Sequence, residues 1–382
     1  MKILSVFGTR PEVIKMAPVL RALAREPGVE SVACATGQHR ELLDQTAAEL
    51  GVRPDIDLAL MRPDQTLNGV TAAAIEALDA VMARVEPDRV LVHGDTTTAM
   101  AAAVAAFHRH IPVGHVEAGL RTGDLDQPFP EEFNRRVVDM AANLLWAPTE
   151  EAADNLRAER LAGRILVTGN TVLDALELAG ERLAADPAPG AELARALPGL
   201  DPAKRLVLVT AHRRENFGDG LDEICAALIQ LASRPDVEVV YPVHLNPHVR
   251  AQVMGRLRGL DQIRLIEPLG YLAFVALMRR AALVLTDSGG VQEEAPALGR
   301  PVLVMRDATE RPEALRAGAA RLVGARAEVI VREAGRLLDG EVHAVAAPNL
   351  YGDGAAAERI VDSIMGRPVK PFVAAQASTL AA

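Results

Sequence analysis

Three acidic residues, Asp95, Glu117 and Glu131, fall within the stretch from His93 to Arg136, HGDTTTAMAAAVAAFHRHIPVGHVEAGLRTGDLDQPFPEEFNRR. They sit at expected strand ends and a helix start, the places where an open α/β sheet assembles a site. Carboxylates grouped in this way suit proton transfer, with one removing a proton and another returning it. Two of them also have plain structural readings. Asp95 precedes TTTAMAAAV and reads equally well as a helix N-cap. Glu131 follows Pro130 in a first helical turn, where the helix dipole favours a carboxylate. Glu117 is harder to dismiss, because it ends the apolar run in HVEAGL beside Gly119 and Arg121. A partly desolvated carboxylate there suits acid–base work.

Groups that would meet an anion lie elsewhere. In GTRPEVIK, Gly8 and Thr9 form a tight turn with Arg10 and Lys15 close behind. The functional expectation is a phosphate corner at a helix N-terminus; the alternative is an ordinary βα turn with Pro11 opening the helix. In TDSGGVQEE (286–294), Ser288, Gly289 and Gly290 lead into a second such corner. A diphosphate between two domains could use both. His212 in VTAHRREN, beside Arg213 and Arg214, is a candidate phosphate contact or proton donor, or else a surface-loop histidine. His244 and His248 in HLNPH have the spacing of a metal pair, but Pro247 between them argues against one regular helix presenting both, so no metal site is expected. The HRH at 108–110 is expected to complement the dipole of an alanine-rich helix. Cys34, inside a strand, is expected to be an inert core residue.

These residues must be held by an alternating framework. Apolar strands are expected at 2–7 and 31–36, within DRVLVHGD and IPVGHVEAG, around 144–147 and at 164–167, with helices between them, one starting near Pro130 and another at 171. The segment 185–204, ADPAPGAELARALPGLDPAK, concentrates Pro, Gly and Ala and reads as a linker or domain edge. The rhythm then restarts with RLVLVT, VEVVYPV, IRLIEP, ALVLTD and VLVM, and a last helix is expected near 355–365. Alternating strands and helices imply parallel sheets covered on both faces. The expected fold is therefore α/β, as two doubly wound Rossmann-like domains with a ligand facing the carboxyl ends of their strands.

At 382 residues, with 49% hydrophobic residues, the chain is long enough for two cores. It carries 41 basic and 51 acidic residues, a net charge of −10 without a basic tract, so neither nucleic acid nor an anionic membrane is an expected partner. Two cysteines far apart argue against a disulfide framework or structural zinc and for a reducing cytoplasm. The opening MKILSVFGTR reads as a strand rather than a signal peptide, and no apolar run reaches the ~18 residues of a membrane span. Neither G-x-G-x-x-G nor G-x-x-x-x-G-K-[ST] occurs, so a dinucleotide dehydrogenase and a P-loop NTPase are not expected.

Taken together, FGTRPE, HGDTTT, VGHVEAGLRTGD, PEEFNRR, GNTVLDAL, HRREN, YPVHLNP, TDSGGVQEEAPALGRPVLVMRDATERPEA and YGDG closely resemble the non-hydrolysing UDP-N-acetylglucosamine 2-epimerases, in order from about residue 1 to 365. The resemblance implies a GT-B type fold, with two Rossmann-like domains facing a central cleft. It assigns residues 1–170 plus 366–382 to a sugar-side domain and 171–365 to a UDP-binding domain. It further implies a cytoplasmic homodimer with no nicotinamide cofactor and no catalytic metal.

Carried over block by block, the resemblance makes Asp95, Glu117, Glu131 and His212 the catalytic set. Arg10, Lys15, Phe274, Ser288, Gly289, Gly290, Glu294 and Arg311 join Asp95, Glu117 and His212 in binding the UDP-sugar. Phe274 would meet the uridine, Glu294 the ribose, and His212 the diphosphate. Leu269 departs from relatives that often carry a polar residue near the uracil. The implied reaction eliminates UDP across C1–C2 to a bound 2-acetamidoglucal and adds it back with C2 inverted, supplying N-acetylmannosamine units for surface polysaccharide. Some relatives bind substrate at a neighbouring regulatory site. Gln38, Gln65, Arg213 and His244 match parts of that allosteric site, while Glu41 and Asp64 stand where regulated relatives can carry Gln and Arg. The alternatives are a 2-epimerase of a 2,3-diacetamido UDP-sugar, a hydrolysing 2-epimerase, a GT-B glycosyltransferase, and a catalytically inactive UDP-sugar sensor.

Overall fold

A computed structural model describes residues 1–37, 40–62, 65–342, 347 and 349–374. The chain divides into two compact units, one of residues 1–178 and 351–374 and the other of residues 179–350. The first is built in order from β1 (Lys2–Phe7), α1 (Arg10–Arg25), β2 (Glu30–Ala35), α2 (Arg40–Leu50), β3 (Ile56–Asp57), α3 (Leu67–Val85) and β4 (Arg89–His93). It continues with α4 (Thr97–His108), β5 (Val113–Val116), α5 (Glu131–Ala141), β6 (Leu144–Ala147), α6 (Glu150–Ala158), β7 (Arg164–Val167) and α7 (Thr171–Ala185). Its seven strands lie in the order β3-β2-β1-β4-β5-β6-β7. They pair in parallel, with His93 opposite Val116 in the β4–β5 register. Strands such as LLWA are buried along their whole length because helices cover both faces. The order reverses direction between β1 and β4, a topological switch point where the loops diverge and leave a crevice at the strands' carboxyl ends.

The second unit contains α8 (Ala188–Ala196), β8 (Arg205–Thr210), a 3₁₀ turn at Arg214–Asn216, α9 (Asp219–Ala232), β9 (Val237–Pro242), α10 (Pro247–Leu257) and β10 (Ile263–Ile266). Next come α11 (Tyr271–Arg280), β11 (Leu283–Thr286), α12 (Val291–Ala297), β12 (Val302–Val304), α13 (Pro312–Arg316), β13 (Ala320–Leu322) and α14 (Ala327–Leu338). Its parallel order is β10-β9-β8-β11-β12-β13, with the switch point between β8 and β11. One apolar core runs through this sheet from Val207 and Val209 to Ile330 and Ala334.

The boundaries differ from those expected. The first crossing falls inside α7, after Leu178 rather than after residue 170, because Val172, Leu173 and Leu176 at its start are buried with the first unit. The return comes at Tyr351 rather than at 366. Here α15 (Ala356–Ile364) packs Ile360 and Val361 into the first unit's core, and the indole N–H of Trp146 donates to Ser363 Oγ at 2.7 Å. The segment expected to be a linker holds α8, which packs on α11 and buries Leu193. Residues 375–382 of the expected tail assignment lie outside the described residues.

Asp174 fastens α15 to α7, its Oδ1 accepting from the Ala357 N–H at 2.8 Å. Burial pushes its carboxyl up to about 6, against the lowering effect of the backbone donors. The folded state therefore binds more protons than the unfolded chain between about pH 4 and 6, and stability falls as pH rises through that window. Asp174→Asn keeps an acceptor for Ala357 and removes the ionisation cost. It is expected to raise unfolding stability by about 1–3 kcal/mol at pH 8 and by little at pH 4. Urea titrations at the two pH values measure this difference, and equal stabilisation at both would refute it.

Candidate active site

In the first unit the switch point gathers side chains from four elements. Glu117 follows β5 directly and has left-handed backbone, φ +69°, which a non-glycine residue adopts only when its surroundings hold it there. The turn continues through Gly119, φ +88°, where a Cβ would lie 2.2 Å from the Ala152 carbonyl oxygen, so only glycine lets the chain pass α6. Glu117 Oε2 is ion-paired with Lys15 Nζ from α1 and accepts from Asn170 Nδ2 at 2.7 Å. The acid and the ammonium are both buried. Cation and amide together fix the orientation of this carboxylate oxygen.

Asp95 is not the cap of α4. Thr96 holds that place, its Oγ1 accepting from the Ala99 N–H at 3.0 Å. The carboxylate of Asp95 is left to the site, where Arg135 Nη2 donates to it. The turn beneath it is tied to β5 twice. The Gly94 N–H donates to Val116 O at 3.0 Å, and His115 Nε2 donates to Gly94 O at 2.8 Å. On its other side, His115 Nδ1 lies 2.6 Å from Asp139 Oδ1, and Arg121 bonds the second Asp139 oxygen at 2.7 Å. Burial pushes Asp139 up, but His115 and Arg121 outweigh it and hold the carboxyl below its ordinary range. Asp95 and Glu117 are thus fixed to one strand end. Glu131 opens α5, four residues before Arg135, so the residue that grips Asp95 shares its helix face.

The first expected phosphate corner is filled from within. The N–H groups of Gly8 and Thr9 donate to Glu12 Oε2 at 2.9 and 2.8 Å, and Thr9 with Glu12 forms the capping box of α1. The backbone donors meant for an anion already hold one. Burial pushes Glu12 up, opposed by Thr96, Gly8, His93 and Thr9. Arg10, at the first position of α1, is partly exposed, whereas Lys15 serves Glu117.

In the second unit, Asp287 is completely buried and organises the loop after β8. Its Oδ2 accepts from the N–H groups of His212 and Arg213, each at 2.8 Å, and from Asn216 Nδ2 at 3.1 Å. Its Oδ1 lies 3.2 Å from His212 Nδ1. The carboxylate therefore aims the imidazole and leaves Nε2 for a ligand. Burial holds His212 below the ordinary histidine range, Arg213 and Arg306 push the same way, and Asp287 opposes them. The His212 ring stacks on that of His244, with centroids 5.2 Å apart. His244 Nδ1 accepts from the Asn246 N–H, and His248 follows on α10, so the two histidines do not act as a helical pair.

After β11, Ser288, Gly289 and Gly290 lead into α12. A Cβ on Gly289 would stand 2.8 Å from Arg311 Nη1, so the guanidinium packs against the loop backbone. Arg311 is buried there and ion-paired with Glu293 and Glu310, which makes it a support of the corner. Glu294 Oε1 accepts from Tyr271 Oη at 2.8 Å, and Phe274 lies one turn along α11 from that tyrosine. Leu269, two residues before α11, is buried.

Of the expected regulatory residues, Gln65 Oε1 accepts from the Arg62 N–H at 2.7 Å, and the Arg213 N–H is held by Asp287. Gln38 and Asp64 lie outside the described residues, as does the side chain of Glu41. Spacing alone did not single out His93, His115, Asn170, Arg135, Asp139, Tyr271 or Asp287. Most lie in the quoted blocks HGDTTT, VGHVEAG, GNTVLDAL, PEEFNRR and TDSGG, but the partners described above are between 18 and 75 residues distant. Cys34 is core, as expected, its thiol pushed up to about 12 chiefly by burial.

Two parallel α/β units, each with reactive side chains at its switch point, define a Rossmann-like protein of the GT-B type. The chain belongs to the UDP-N-acetylglucosamine 2-epimerase family, whose model matches residues 21–365. It is 52% identical over 369 residues to the UDP-N-acetylglucosamine 2-epimerase of Escherichia coli K12, covering 95% of this chain and 98% of that one. Its fold matches the crystal structure of UDP-GlcNAc 2-epimerase from Neisseria meningitidis bound to UDP-GlcNAc, with a TM-score of 0.91 at 44% identity, over 96% of this chain and 100% of that one. The Methanocaldococcus jannaschii UDP-GlcNAc 2-epimerase in complex with UDP-GlcNAc and UDP gives a TM-score of 0.85 at 32% identity, over 96% and 100% of the two chains.

Proposed function

We propose that this chain interconverts UDP-N-acetylglucosamine and UDP-N-acetylmannosamine at C2. The single observation that carries the reading is Glu117, forced into left-handed backbone and clamped by Lys15 and Asn170, within a chain of this family. The C2 hydrogen of the sugar is not acidic, so the reaction needs a fixed base and a good leaving group in one step. In the proposed step Glu117 takes the C2 proton, the C2–H electron pair forms the C1–C2 double bond, and the C1–O bond breaks to release UDP. The product is bound 2-acetamidoglucal. Re-addition of UDP oxygen at C1 accompanies return of a proton to the opposite face of C2, a task for Asp95 and Glu131.

The charge of the bound diphosphate, with that of Asp287 at Nδ1, favours protonation of His212, whose Nε2 then donates to the departing diphosphate and offsets its growing charge. Ser288, Gly289 and Gly290 hold phosphate, Glu294 the ribose hydroxyls, and Phe274 the uridine. Arg311 serves them from beneath Gly289. Arg10 is assigned to the nucleotide-sugar through its position at the start of α1.

The same reading includes a cytoplasmic homodimer. Two buried unpaired thiols suit a reducing compartment. Among the described residues no helix is long and apolar enough to cross a membrane. Exposed Phe133 and Met140 lie seven apart on α5, and exposed Phe107 closes neighbouring α4, an apolar face suited to a second copy.

The test is incubation with UDP-GlcNAc in deuterated water, followed by proton NMR. UDP-ManNAc carrying deuterium at C2 is the expected product. Absence of both exchange and product, with excess substrate present as its own effector, would overturn the reading. Free UDP with N-acetylmannosamine would replace it with the hydrolytic reaction.

A further inference from the structure

The geometry points to His93 as a positioning residue for the C2 reaction, its ring orienting the Glu117 carboxylate through Nε2. This rests on the reading above that Glu117 is the base. His93 ends β4 at the switch point, and its side chain is 5% exposed. Neither ring nitrogen makes a hydrogen bond among the described residues. Buried polar atoms left in that state are rare, because the fold must bear their desolvation without return. A ring present only for packing would not need nitrogens.

Two carboxylates lie near His93. Glu12 accepts from Gly8, Thr9 and Thr96 through both of its oxygens. Glu117 Oε1 lies 3.7 Å from His93 Nε2. That is about 0.8 Å beyond an ordinary N–H···O bond. A small approach, as when substrate fills the site, brings Nε2 onto Oε1 while Lys15 and Asn170 hold Oε2. The carboxylate plane is then fixed from both ends, and the lone pair that meets the C2 proton has one direction.

His93→Phe fills the space without a nitrogen, whereas His93→Gln restores an N–H near the Nε2 position. For His93→Phe, kcat is expected to fall by about 10–100-fold, the worth of one charge-assisted hydrogen bond. KM and UDP affinity are expected to stay within about twofold, and His93→Gln to recover activity to within about fivefold of wild type. Wild-type kcat in His93→Phe overturns the assignment, and so does a parallel loss of kcat and UDP binding, the mark of a collapsed site. A second measurement needs no turnover. In 15N-histidine-labelled protein without substrate, Glu117→Gln is expected to shift the His93 ring nitrogens, assigned by their disappearance in His93→Gln. Unmoved His93 signals overturn the contact. Should the wild type leave UDP-GlcNAc unchanged, the proposed function fails while this shift still decides the His93–Glu117 contact.

Discussion

Glu117→Gln is expected to lower kcat by about 10³–10⁴-fold, the upper part of the range for loss of a general base. Glutamine has the size of glutamate and keeps an oxygen for Lys15 and Asn170, so the left-handed turn should survive. Its amide cannot accept a proton at neutral pH. Glu117→Ala would be less informative, because it strands the Lys15 ammonium in a buried site, a loss that can reach about 3–5 kcal/mol. In Glu117→Gln, UDP binding by calorimetry is expected to remain near wild type, since the groups assigned to the diphosphate, ribose and uridine, His212, Ser288 to Gly290, Glu294 and Phe274, lie in the other unit. The folded fraction by circular dichroism should be unchanged. A folded Glu117→Gln enzyme retaining more than about a tenth of wild-type kcat would remove Glu117 from the role of base.

The second large effect is expected at Asp287, through two variants that separate its two tasks. Asp287→Ala removes the acceptor of three donors, leaving the N–H groups of His212 and Arg213 unmatched and the Asn216 amide with only the Met305 carbonyl. Each buried orphan costs about 1–3 kcal/mol, so the loop after β8 should loosen and the melting temperature fall. Asp287→Asn can keep its oxygen on those donors and turn its amide toward His212 Nδ1. The loop then survives, but the imidazole loses the negative partner that favours its protonated form, the form in which Nε2 donates while Nδ1 is held. A loss of kcat of about 10²–10³-fold with a nearly normal melting temperature is expected, by analogy with other carboxylate-oriented histidines. If Asp287→Asn is as active as wild type, His212 does not depend on its Nδ1 partner and the proposed role in UDP departure fails.

Much of the framework is legible from local patterns. KILSVF, RLVLVT and ALVLTD are short apolar runs between polar helical segments, and strands covered on both faces have no other way to look. The ends of α1 at Arg25 and of α11 at Arg280 follow from the chain's own periodicity. Residues 185–204 misled because proline and glycine count as breakers by composition. Pro187 and Pro189 instead sit at the start of α8, where a missing N–H is harmless, and the burial that stabilises the helix comes from α11. The crossings at 178 and 351 were equally illegible, since they depend on which core buries Leu176 and Ile360.

The chemistry divides along the same line. By itself the sequence determined residue types, their order and the family blocks that carry them: carboxylates at 95, 117 and 131, a histidine at 212, and small residues at 288–290. Those are covalent facts, and local propensity places them at strand ends. Only tertiary structure decided what each charge faces. It turned the first anion corner inward onto Glu12 and released Asp95 from capping by giving that place to Thr96. It also set Lys15 against Glu117, 102 residues away, and Asp287 beneath His212, 75 residues away. The physical reason is range. Caps and periodicity act within a turn or two of helix, whereas the field that makes a carboxylate a base comes from whichever distant side chains the sheet order brings within about 4 Å.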